Sequence, residues 1–268
     1  MTTVSVAKAV ARARGDIVEG FSRWRLWGLL GWKDIRQRYR RTVLGPFWLT
    51  ANMAIFIGAI GFLYSRIFDS ELAVYVPFLT SGFIAWTLIV NFLIDASKSL
   101  VLAEHVIKLR RLPLSLFVYR TIWRHLLIMA HNLIVFVVVA VVFGIVPNLA
   151  TLLIVPALLL SVINAAWIGL VLATLSARFR DVEQFVGAVM QILFFVTPIF
   201  WKPDLLGDRI VFANINPLYH FVELIRAPLL GTSPELLTWT VAIGTALVGW
   251  MATLWFYGRL RPAIPYWL

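Results

Sequence analysis

From Phe47 onward, long apolar runs are separated by short polar ones, and within each run the apolar residues are continuous. The stretch "LIVFVVVAVVFGIV" is representative. Such runs fit membrane-crossing helices, whereas a membrane β-strand would switch between apolar and polar at every position. The pattern predicts six spans, near 47–68, 75–95, 116–145, 150–176, 185–201 and 237–258. A helix needs roughly 20 residues to cross ~30 Å of hydrocarbon. The fifth run, stopped by Pro198, is the shortest. The predicted fold class is therefore an all-α integral membrane protein with six transmembrane helices. A cytoplasmic segment 1–46 would precede the membrane domain 47–258, and a short tail, 259–268, would follow it.

Ahead of the first span, 21–41 reads as an amphipathic helix. At 100° per residue Phe21, Trp24, Trp32, Ile35 and Tyr39 share one stripe, with Arg23, Lys33, Gln37, Arg40 and Arg41 opposite. A helix of this kind lies in the headgroup plane. Lipid anchoring and contact with a partner both suit it. The loop 96–113 predicts a short helix ending before Pro113, because proline disfavours a helical residue ahead of it. Its Glu104, His105, Lys108, Arg110 and Arg111 suit either a solvated loop or a protein-docking surface.

Composition agrees with a membrane protein: 61% of residues are hydrophobic and 14% charged, with a mean hydropathy of +0.87. Soluble domains run nearer 45–50% apolar and about 25% charged. The net charge of +11 would point a soluble protein toward nucleic acid. Here it follows the topology. With six spans, the side holding both termini carries 20 Lys and Arg against 7 acids, and the other side 4 against 6. The positive-inside rule then places both termini in the cytoplasm.

Within the third run, Arg120, Arg124 and His131 fall inside about 40° on a wheel. The arginines are near enough to the span's end to snorkel toward headgroups, which is the plainer reading; a polar lining is the other. His131 reads as a packed, hydrogen-bonded histidine. Between the fifth and sixth runs, "NPLYHFVELIRAPLLG" predicts a short re-entrant or outer-leaflet helix. Asn216 would cap it, Pro217 would open it and Gly231 would end it. Re-entrant backbone is tolerated only where protein or a water-filled cavity surrounds it.

Catalytic and metal chemistry finds no footing. The phosphate-binding pattern G-x-x-x-x-G-K-[ST] does not occur, nor do H-E-x-x-H and G-x-S-x-G. There is no cysteine, and the four histidines lack metal-ligand spacing. A membrane enzyme acting on lipid-linked sugars would need grouped acids or histidines at one membrane face. A secondary transporter would be expected to show inverted repeats and buried charge pairs near the midplane. Neither pattern is evident, so no enzyme, metal or cofactor is expected in this chain.

Three runs carry a family likeness: "WKDIRQRYRRTVLGPFWLT", "ARFRDVEQFVGAVMQILFFVTPIFW" and "NINPLYHFVELIRAPLLG". In this order they resemble the polysaccharide export permeases of the second class of ABC-type exporters, nearest in kind to O-antigen exporters. Capsule and teichoic-acid exporters are close relatives. The resemblance implies a homodimer of six-span permeases with two copies of a separate ATPase, which would hold the ATP and Mg. The cargo would be a polysaccharide on an undecaprenyl diphosphate lipid. The helix at 21–41 would be an interface or gate helix at the cytoplasmic entrance. Segment 97–111, with Ser97, Lys98, Glu104, His105, Lys108, Arg110 and Arg111, would be the turn that couples to the ATPase. Spans 1 and 5 would line the channel. On them, Phe56, Tyr64, Phe194, Phe195, Phe200 and Trp201 are candidates for stacking against sugar. Arg36, Arg38, Arg40 and Arg41 are candidates for a diphosphate, which guanidinium groups bind through charge-assisted bonds.

Overall fold

The computed structural model describes residues 6–38 and 40–268, the side chains of 205, 206 and 208 excepted. Among the described residues every regular element is helical. Two helices, α1 (Val6–Ser22) and α2 (Trp24–Arg38), precede the apolar part. Then come α3 (Phe47–Ile67), α4 (Leu72–Ser97), the short α5 (Glu104–Leu109), α6 (Ser115–Val142) and α7 (Ile154–Arg178). The chain continues through α8 (Val182–Val196), α9 (Val211–Ile215), α10 (Pro217–Leu229), α11 (Leu236–Leu260) and α12 (Ile264–Trp267).

Five stretches are long and apolar enough to cross a membrane: Phe47–Ile67, Leu72–Ser97, Ser115–Val142, Leu149–Arg178 and Leu236–Trp267. The chain is thus a multi-pass membrane protein. The predicted fifth span departs from expectation. Its helix, α8, has 15 residues, about 22 Å at 1.5 Å per residue, and breaks at Thr197.

The helix predicted at 21–41 also differs. It is split at Arg23, so that Phe21 falls in the last turn of α1 and α2 ends at Arg38. Arg40 and Arg41 lie in the turn beyond, where Arg41 takes φ 70°, and Tyr39 is outside the described residues. Gly45, at φ 55°, completes the turn into α3. Pro46 stands just ahead of α3, where a missing N–H leaves no helix bond unmade.

The core gathers around α4, which packs against α3, α6, α7, α8 and α10. Half of its apolar window is buried, against 17% for α3. Many exposed side chains of the outer helices are apolar, among them Val137, Val141, Val155, Leu159, Leu247 and Met251, as lipid requires. With no hydrophobic driving force between helices in lipid, close approach depends on small residues. Outside those apolar stretches, α1 also approaches α11 closely through small residues. A Cβ on Gly258 would land on the Ala9 carbonyl. Here α1 lies against the last turns of α11 and the first turn of α6, a docking that the sequence pattern did not announce.

Asp16 fixes that docking. Its carboxylate is buried and accepts from the Leu114 and Ser115 amides at 3.0 and 2.9 Å, two of the orphan donors that open α6. It also accepts from the Tyr257 hydroxyl at 2.7 Å and Arg261 Nε at 2.6 Å. One charge therefore ties α1 to α6 and α11.

Candidate functional site

The arginines proposed for a headgroup or diphosphate lie in the last turn of α2 and in the turn that follows it. Arg36, Arg38, Arg40 and Arg41 are all exposed. The packed face of α2 is set by Trp27, Gly31, Asp34 and Ile35. Trp27 meets Tyr119 and Trp123 of α6, and Gly31 sits against the Arg120 carbonyl. Ile35 therefore turns into the bundle, at 3% exposure, while Trp24 and Trp32 remain more than half exposed. The apolar stripe read from the sequence is in fact two faces. Ile35 serves the bundle, and the tryptophans, together with Leu29, remain outside with Arg25 and Arg36.

Arg120 and Arg124 do not snorkel to headgroups. Arg120 grips Asp34 of α2 with two nitrogens. Arg124 reaches Asp34 through Nη1 at 3.2 Å and Asp95 of α4 through Nη2 at 2.7 Å. Asp95 also meets His125 Nε2 at 3.0 Å and Lys98 Nζ at 3.2 Å. Lys98 continues to Glu183 of α8 at 3.1 Å. Burial works to lower the Lys98 pKa, but Glu183 and Asp95 outweigh it and hold it above the usual lysine range. A periodicity reading missed Asp34, Asp95 and Glu183, because the partners come from four different helices.

The short helix expected before Pro113 is present. α5 ends at Leu109, and Arg110 leaves it in extended backbone, as Pro113 predicts. No residue of α5 is buried. Leu102, Val106 and Leu109 are 74%, 43% and 83% exposed, beside exposed His105, Lys108, Arg110 and Arg111. Glu104 pairs with Lys108 at 2.7 Å, which holds its carboxyl below the usual range, and faces Arg180 at 3.7 Å. Ser97 is an exception among the candidates: it is fully buried and its hydroxyl donates to the Ile94 carbonyl, so it offers nothing to a partner.

At the far end the candidate aromatics converge. Phe194 stands 5.5 Å from Phe200 and 5.4 Å from Phe195, and Tyr64 stands 5.6 Å from Phe200. Phe56 joins through Phe83, stacked at 4.1 Å, and Trp201 Nε1 donates to the Phe195 carbonyl at 3.1 Å. The joining rings Phe83 and Trp86 belong to α4 and were not foreseen. Phe195 is 63% exposed; Phe56, Tyr64, Phe194 and Phe200 pack partly onto the core.

The break that follows α8 is pinned at four consecutive residues. Asn216 Nδ2 donates to Thr197 Oγ1 at 2.8 Å. Arg226 Nη2 donates to the carbonyls of Pro198 at 2.6 Å and Ile199 at 3.3 Å. Tyr75 donates to the Phe200 carbonyl at 2.6 Å. Non-helical backbone at membrane depth needs such internal partners. Arg226, on α10, also pairs with Glu223 and lies over the Phe78 ring at 4.0 Å. α10 begins and ends as predicted, with Asn216 accepting from the Leu218 amide and Gly231 at φ 77°. His131 is hydrogen-bonded and packed, its Nδ1 2.8 Å from the Leu127 carbonyl and its ring against Phe47.

Fold and site together define a multi-pass helical membrane protein with a broken helix at one end and an exposed helical turn at the other. The family is more specific. Residues 25–230 match the family model described as ABC-2 type transporter, and the chain belongs to that family. It is accordingly a membrane transport subunit. Two proteins named "O-antigen export system permease protein RfbA", both from Klebsiella pneumoniae, are each 26% identical to it over 188 residues, covering 69% of this chain and 73% of theirs.

Proposed function

We propose that the chain is the permease of an ABC exporter that moves a lipid-linked polysaccharide, of O-antigen type, across the bacterial inner membrane. ATP would be hydrolysed on a separate subunit, and two permease copies would pair. The observation that carries this reading is the family match together with relatives named for O-antigen export. The sequence lacks a phosphate-binding loop of its own, which accords with a separate ATPase. α5 and its approach, with Leu102, Val106 and Leu109 outward among cations, form the docking surface for that ATPase.

In this reading α8 and its pinned break make the fifth of six crossings, and both termini are cytoplasmic, in keeping with the charge asymmetry. The exposed apolar faces of α3 and α8, with Ile55, Phe62, Ile192 and Phe195, meet the second copy and border the channel. Arg36, Arg38, Arg40 and Arg41 attract the lipid diphosphate, and Trp24 and Trp32 seat α2 in the headgroup plane. The aromatic cluster offers flat apolar surface to sugar rings. Co-expression with the ABC ATPases of the source genome, followed by affinity purification of the permease, tests the assignment. One ATPase should elute with the permease in detergent. If none does, the exporter reading fails.

A further inference from the structure

A continuous chain of ion pairs links four helices of the bundle. It begins on α2 at Asp34, crosses α6 at Arg120 and Arg124, reaches α4 at Asp95 and Lys98, and ends on α8 at Glu183. Lys98 is the residue that caps α4 and opens the turn into α5. A second pair, Arg180 with Glu104, ties α5 to the α7–α8 connection. The elements joined are the basic surface helix, the docking turn and the broken helix. Nothing in the fold alone requires these to be linked by charge.

Arg124 is the link between the two halves. Its guanidinium is shared between two carboxylates on different helices, Asp34 at 3.2 Å and Asp95 at 2.7 Å. Its Nε is buried without a partner. Asp34 keeps a two-nitrogen grip from Arg120 whatever Arg124 does, and Asp95 keeps Lys98 and His125. Arg124 is therefore not needed to hold either acid in place; its particular contribution is to join them. The surrounding charges favour the arrangement. Each acid of the network faces at least one cation: Asp34 faces Arg120 and Arg124, Asp95 faces Arg124 and Lys98, and Glu183 faces Lys98.

We propose that Arg124 is a positioning residue that makes α2 and the α4–α5 turn move as one body. Displacement of the turn carries Lys98 and Asp95, Asp95 carries the guanidinium, and the guanidinium carries Asp34 and with it α2. This inference rests on the exporter reading for its purpose, since the ATPase would supply the displacement and α2 would respond at the substrate entrance. The linkage itself stands on the geometry. A planar guanidinium can hold two carboxylates on separate edges, whereas a lysine ammonium is a single point of charge on a flexible stem. Arg124→Lys thus keeps the charge and the docking of α2 through Arg120 while losing the bridge.

Two measurements test it. The first uses the permease with its ATPase in proteoliposomes and reads polymer exported per ATP hydrolysed. Arg124→Lys should hydrolyse ATP at close to the wild-type rate yet export about tenfold less per ATP, a factor within the range of coupling between contacting groups. Equal export per ATP in the variant overturns the proposal. Should the wild type itself show no ATP-dependent export, the exporter reading falls, and the second measurement still decides on Arg124. It uses the permease alone. The chain has no cysteine, so spin labels can be placed through Lys33→Cys on α2 and Leu102→Cys in the turn before α5. Their distance distribution should be narrow in the otherwise native chain and broad with Arg124→Lys or Arg124→Gln. A distribution unchanged in both variants overturns the proposal.

Discussion

Arg226 Nη2 donates to the Pro198 carbonyl at 2.6 Å from a side chain only 1% exposed. A charge so deeply enclosed is costly unless paired and hydrogen-bonded. Here Glu223 supplies the counter-charge, and the broken backbone after α8 supplies the acceptors. Arg226→Met would leave the Pro198 and Ile199 carbonyls and Glu223 without their donor. The expected loss is about 3–5 kcal/mol, as for breaking a buried pair. Thermal unfolding of the purified permease in detergent should show a lowered midpoint, with Arg226→Lys in between.

Gly82 tests the same site without touching the arginine. A Cβ there would meet the Arg226 guanidinium. Gly82→Ala should cost about 1–3 kcal/mol, the usual result of overpacking. Combined with Arg226→Met the cost should shrink, because the colliding group is gone. A double-mutant cycle on the unfolding midpoints measures this, and simple additivity would show that the two do not touch.

Asp16 should govern whether α1 stays on the bundle. Asp16→Ala strands two amides, a hydroxyl and a guanidinium, each unpaired donor costing about 1–3 kcal/mol. α1 should then lift from α6 and α11. Trypsin cleavage at Arg12 and Arg14 should accelerate, while the apolar helices still insert. Unchanged cleavage kinetics would remove Asp16 from this role.

The docking surface predicts a separation of fold from partner binding. Leu109→Glu and Leu102→Glu alter side chains already facing solvent, so permease stability should stay within about 0.5 kcal/mol. Co-purified ATPase should fall sharply. Retention of full ATPase binding would move the contact elsewhere.

Much of the fold was legible from periodicity because lipid imposes it. Span 1 was expected at 47–68 and α3 runs Phe47–Ile67; Asn216, Pro217 and Gly231 bound α10 as their backbone chemistry dictates. The reading stopped where contact is long-range. The wheel for 21–41 gave Ile35 and the tryptophans a common face, because a wheel takes no account of what packs against a helix. It also ran through the break at Arg23. Arg120 and Arg124 looked like snorkelling side chains because Asp34 and Asp95 are distant in sequence. Arg226 drew no attention, since a single arginine in an apolar stripe carries no local signal of the carbonyls it meets. The six candidate aromatics follow from the resemblance, which implies that spans 1 and 5 line the channel; the rings of Phe83 and Trp86 that join them lie on α4, outside those spans.

The central claim is that this permease exports a lipid-linked polymer at the expense of ATP bound elsewhere. Its most direct measurement is uptake of undecaprenyl-diphosphate-linked polysaccharide into sealed vesicles of inverted inner membrane holding the permease and its ATPase. The account predicts accumulation that requires ATP, stops when the ATPase is omitted, and falls when Arg36, Arg38, Arg40 and Arg41 are changed together to Ala. Accumulation without ATP, or none with both subunits and ATP present, would contradict it.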